Sequence, residues 1–165
     1  TVYEDRPSAC RMFPLGRAAT APGSGPLCNA KVCATGAREQ FFMVREQVCA
    51  GWAEAREWSV KQWLDDQGLR PYLPQNDRWI GIFTRLPALA RDPHAEQRFS
   101  VFRTAGYDLD RFRDLVTGDA FTGRFVIAAD RLAEMKESDE ALLSFAVDWL
   151  GFALFGDHTI ELAVA

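Results

Sequence analysis

The sequence predicts an α+β fold, with a mostly antiparallel sheet of about four strands. The sheet is expected to pack against a long helix in the N-terminal half and an apolar helix near the C-terminus. Three observations lead there. Apolar residues recur at helical spacing from Phe41 to Ala55; four short segments are rich in β-branched and aromatic residues or alternate in polarity; and one almost wholly apolar run, residues 141–155, lies near the end. Strands and helices do not alternate regularly, which favours α+β over a doubly wound sheet. At 165 residues, 48% hydrophobic and 25% charged, the chain has the size and composition of one ordinary globular domain. Such a composition excludes wholesale disorder, which needs too little apolar surface to offset the ordering entropy.

Residues 1–36 read as an irregular Cys/Pro/Gly-rich arm packed on a single domain spanning 37–165. The stretch Pro14 to Pro26 is loop chemistry throughout. From residue 37 a helix is expected, because Phe41, Val44, Val48, Trp52 and Ala55 fall on one face while Glu39, Arg45, Glu46 and Glu54 take the other. Thr35 is its candidate N-cap, and Gly51 inside it costs about 1 kcal/mol relative to alanine. A short helix over 60–67 follows, capped by Ser59 and stopped by Gly68.

Residues 78–84 and 98–104 are expected to be strands, on their content of Trp, Ile, Phe, Val and Thr. Asp92-Pro93 between them suits one helical turn. Asp108 is placed to cap a helix over 109–116 that Gly118 ends. Residues 121–128 read as a third strand. Ser138 caps the apolar helix 139–155, Gly156 terminates it, and residues 159–164 alternate as a last strand. The apolar run is shorter than the roughly 20 residues that cross a bilayer, so a buried helix is expected and no membrane partner.

Net charge is −4. Residues 137–165 hold six acids and no Lys or Arg, and that acidity argues against bulk electrostatic attachment to nucleic acid. Residues 1–27 lack a continuous apolar stretch of the secretory kind, so a cytoplasmic location is expected; disulfide formation would instead imply a periplasmic or secreted protein.

All four cysteines, Cys10, Cys28, Cys33 and Cys49, fall in the first 49 residues. Their spacing lacks paired zinc knuckles, so no cofactor is expected, with zinc on the four thiols as the alternative. Reduced cysteines buried as small hydrophobes are the simplest reading, and one or two disulfides come next.

Chemistry is sparse. No phosphate-binding glycine loop, dinucleotide fingerprint, zinc-protease helix or nucleophile elbow occurs. The expected function is therefore protein binding without catalysis, as an accessory, inhibitor or immunity-type module. Its partner would be another protein or a second copy, docked through an apolar face near the C-terminal helix.

Two alternatives remain. Cys33 stands just before the expected helix start, where amide dipoles lower a thiol pKa, and His158 opens the last expected strand. That order resembles papain-like cysteine peptidases over a short stretch, without their glycine- and aromatic-containing signature. The resemblance implies a thiol-dependent hydrolase or transferase with Cys33 as nucleophile and His158 as base. The second alternative is single-stranded nucleic acid stacking on a sheet face of Trp79, Phe83, Arg85, Arg98 and Arg103. Asp65 and Asp66 complete the candidate binding residues; carboxylates in a last helical turn oppose the dipole and call for Arg70 or a partner's arginine.

Overall fold

The computed structural model describes residues 6–20, 38–47 and 50–163. The protein is mixed helix and strand, and it divides into two compact units, Thr1–Ile80 and Gly81–Ala165.

In the first unit, helix α1 (Ser8–Met12) precedes an antiparallel pair, β1 (Leu15–Thr20) and β2 (Arg38–Met43), in register from Leu15 opposite Met43 to Thr20 opposite Arg38. Gly16 faces Phe42 across the pair. A Cβ built on Gly16 would lie 2.2 Å from the Phe42 ring, so only glycine leaves that ring its place. The pairing corrects the long helix expected from residue 37. Its first six described residues are strand, and a 3-10 turn, Ala50–Ala53, stands where its middle was expected. Pairing with a strand some twenty residues upstream supplies hydrogen bonds that local spacing does not announce. Residues 8–12 and 15–20, read as irregular, are a helix and a strand, the strand formed by that same pairing.

Helix α2 (Val60–Asp66) forms where expected. The Gln62 amide donates to Ser59 Oγ at 3.3 Å and the Ser59 amide donates to Gln62 Oε1 at 2.9 Å, a reciprocal capping box. Gly68, at φ +61°, takes the left-handed turn that lets Leu69 fold back, its amide 2.9 Å from the Leu64 carbonyl. Leu64 and Leu69 are buried. Trp63 Nε1 donates to the Met12 carbonyl at 3.1 Å and fixes α1 beside α2. Arg17 holds the strand pair to the next helix, with two bonds to Asp77 at 2.6 and 2.9 Å and one to Glu39 at 2.9 Å.

Helix α3 (Tyr72–Phe83) crosses the division between the units. The second unit continues through α4 (Leu86–Leu89), α5 (Ala95–Tyr107), α6 (Leu109–Thr117), α7 (Asp119–Thr122), β3 (Phe125–Val126), α8 (Ala129–Glu137), α9 (Asp139–Phe155) and β4 (Glu161–Leu162). Three termini follow their sequence signals: Asp108 accepts from the Arg111 amide, Ser138 accepts from the Ala141 amide, and Gly156 closes α9 at φ +72°.

Helix α9 forms the core. Leu142, Phe145, Ala146, Val147, Leu150, Gly151 and Leu154 are buried against α5, α6 and α8. Each large apolar side chain so covered contributes roughly 1.5–3 kcal/mol. Phe145 also lies beside Phe112 of α6 and Phe121 of α7.

The expected sheet of about four strands is not formed. Among the described residues the strands make two separate antiparallel pairs, β1–β2 and β3–β4. Residues 78–84 lie mostly in α3 and 98–104 lie in α5; their apolar residues pack at helical spacing, as buried Phe102 and Ala105 show. Of 121–128 only Phe125–Val126 is strand, the start being α7, and among the described residues of 159–164 the strand is Glu161–Leu162. No helix among the described residues is long and apolar enough to cross a membrane.

Candidate functional site

Aromatic rings gather on the outside of the second unit, at the end of α3 and along α5. Phe83 closes α3, while Phe102 and Tyr107 lie on the last turns of α5. Phe102 is buried and anchors the group. Phe83 meets it edge-on with centroids 5.7 Å apart, and Tyr107 meets it edge-on at 5.9 Å. The two outer rings are held by these contacts yet stay open to solvent, Phe83 at 47% and Tyr107 at 72% exposure. Fixed but uncovered rings are what a docking surface needs, since little side-chain entropy is left to lose on association. Arg103, from the same part of α5, pairs with exposed Glu96 at 2.8 Å.

The other sequence-derived residues do not converge on this surface. Trp79 is half-buried on α3, Arg98 and Arg103 stand on α5, and Arg85 lies between α3 and α4. With helices in place of strands, the sheet face on which nucleic-acid stacking was expected is absent from these residues. Their charges are engaged as well. Arg98 donates to the Leu154 carbonyl at 2.6 Å, near the C-terminal end of α9, and pairs with Asp92 at 3.1 Å. Arg85 forms two bonds to Asp157, at 2.6 and 2.9 Å, with its guanidinium 3.8 Å above the Phe155 ring. Arginines at the end of α9 complement the negative pole of its dipole.

The Arg85 bonds hold the Asp157 carboxyl below its ordinary value of 3.8, against a smaller opposing effect of burial. A depressed folded-state value means the pair stabilises above the unfolded pKa, about 3.9, and ceases to as pH falls through the folded one. The melting-temperature difference between the native protein and Asp157→Asn is thus expected to be constant near neutrality and to shrink below about pH 4. A difference unchanged into acid would show that the carboxylate charge contributes nothing.

Asp65 bonds Arg70, the expected intramolecular partner, and Lys61 at 3.1 Å; both interactions, Arg70 first, hold its carboxyl below the usual range. Asp66 accepts from Gln67 Nε2 at 2.9 Å. His158 is exposed and occupies a turn before β4 rather than the opening of the strand. Cys33, its expected partner, lies outside the described residues, as do Cys28 and Cys49. Cys10 is an exposed free thiol on α1, not a buried hydrophobe. Among the described residues no group of three or more His, Cys, Asp or Glu could hold a metal ion.

Tyr107 was not singled out by the sequence. Its one signal is its place directly before the Asp108 cap, at the end of α5.

No protein-family model matches the chain, and no curated protein or solved structure matches it either.

Proposed function

We propose that the protein acts by binding another protein, as an accessory, inhibitor or immunity-type module, and that it docks through the Phe83–Phe102–Tyr107 surface. The observation that carries this reading is the exposure of Tyr107 and Phe83 on a ring that is itself buried. Interface energy concentrates in a few aromatic or arginine anchors, and rings positioned before the partner arrives are the efficient way to supply them. This surface lies on α3 and α5, whereas the expected face on α9 has its apolar side chains largely covered within the unit.

The test is site-specific crosslinking in the cells that make the protein. A photoreactive phenylalanine analogue at position 107 is expected to give a discrete protein adduct, and the same analogue at exposed Ala133 of α8 none. Absence of an adduct at 107, or the same adduct from both positions, would overturn the reading.

A further inference from the structure

We propose that the occupant of the Phe83–Phe102–Tyr107 surface is a basic polypeptide segment, with cationic side chains on either side of an apolar one; this rests on the binding reading above. The argument is charge complementarity beside the aromatic rings. Directly after Tyr107 the chain passes through Asp108 into α6, whose solvent side carries Asp110 and, one turn on, Asp114. The Asp110 side chain is 99% exposed. Arg113, only 22% exposed, is shared: it pairs with Asp110 at 3.2 Å, donates to the Met135 carbonyl at 3.2 Å and bonds Asp139 at the start of α9, while Arg111 beside it on α6 is exposed. Asp139 and Glu140, in the first turn of α9, add two more carboxylates beyond it. On α5, Glu96 and Arg103 neutralise each other. With exposed Arg111 counted, residues 107–114 hold three acidic and two basic side chains, a carboxylate excess of one.

The same sign extends over the whole unit, where residues 81–165 hold fourteen acidic and nine basic side chains. Two copies brought face to face at this surface would set carboxylates against carboxylates. A cationic segment gains from the same field. Exposed ion pairs contribute little affinity one by one, so the rings anchor the partner while the carboxylates select its sign and speed its arrival.

The experiment uses the full chain and two labelled peptides, one built of lysine and leucine and its counterpart with glutamate for lysine, read by fluorescence anisotropy over a salt series. The lysine peptide is expected to bind at least about tenfold more tightly, with affinity falling as salt rises. Asp110→Asn with Asp114→Asn should weaken it several-fold and flatten the salt dependence. Tyr107→Ala should weaken it by about tenfold at every salt concentration. Both variants alter exposed side chains, and unchanged melting temperatures confirm intact folding. Equal or tighter binding of the glutamate peptide, still sensitive to Tyr107→Ala, would overturn the charge assignment and leave the binding surface standing. Peptide binding indifferent to Tyr107→Ala would overturn the surface itself. A dimer of the native chain that Tyr107→Ala dissolves, seen by light scattering, would make the occupant a second copy.

Discussion

Phe145→Ala is expected to destabilise the second unit by about 3–5 kcal/mol. The ring is 1% exposed at the centre of α9 and has aromatic neighbours on two other helices, Phe112 at 6.3 Å and Phe121 at 6.1 Å. Arg131 covers it from a third side, its guanidinium 5.0 Å from the ring centre and anchored to Asp148 at 2.5 Å. Removing the ring loses its transfer free energy and leaves a void that α6, α7 and α8 cannot close together, since each is also packed on other parts of α9. The cost therefore belongs at the upper end for a core phenylalanine. Arg131 would lose its cation–π contact in the same step, which adds about 0.5–1 kcal/mol at a partly exposed site. Urea denaturation followed by near-ultraviolet circular dichroism measures the loss. Leu115→Ala, on the exposed face of α6, serves as the surface control and should change stability by no more than about 0.5 kcal/mol. Comparable losses for the two would show that α9 is not the centre of the unit.

The same helix shows what could be read from the amino acids alone. Its limits are written in single residues, Ser138 with a side-chain acceptor at one end and Gly156 with a left-handed backbone at the other; α2 and α6 announce themselves in the same way through Ser59, Gly68, Asp108 and Gly118. These are local devices, so local sequence carries them. Where the reading failed, composition outweighed spacing. Residues 98–104 contain four aromatic or β-branched side chains that suit a strand, yet Phe102 and Ala105 lie three apart and together form the buried face of a helix. Helix α8 carries no side-chain cap at Ala128, and nothing in the sequence drew attention to it. The opposite error arose at residues 38–43, where helical spacing is present but a strand forms, because its partner Leu15–Thr20 is remote along the chain. Of the candidate site, Phe83 was legible as an aromatic in an aromatic-rich segment. Tyr107 was not, because nothing local in the sequence distinguishes an exposed aromatic at the end of a helix from a buried one.

Gly151→Leu is the substitution that links core to surface. A Cβ at this buried position would lie 3.0 Å from Asp157 Oδ2 and 3.5 Å from Thr159 Oγ1, atoms of the turn that folds back over α9. In a free turn the carboxylate would swing aside, and even alanine would be favoured, since glycine inside a helix costs about 1 kcal/mol. Here it cannot move cheaply. Asp157 is gripped by both terminal nitrogens of Arg85, whose guanidinium is pressed on Phe155, and Thr159 Oγ1 donates to the Asp148 carbonyl at 2.6 Å. A leucine must displace the turn and break the Arg85 pair, so a loss of about 1–3 kcal/mol is expected, as for an overfilled core. The coupling distinguishes this cause from a general intolerance of bulk. In an Asp157→Ala background the obstructing carboxylate and its bonds to Arg85 are already gone, and Gly151→Leu should cost less by at least about 0.5 kcal/mol. Denaturation of the native chain, both single variants and the double variant supplies that number. Strict additivity would mean that the glycine is required by something other than Asp157, and that the turn is held over α9 without the Arg85 pair.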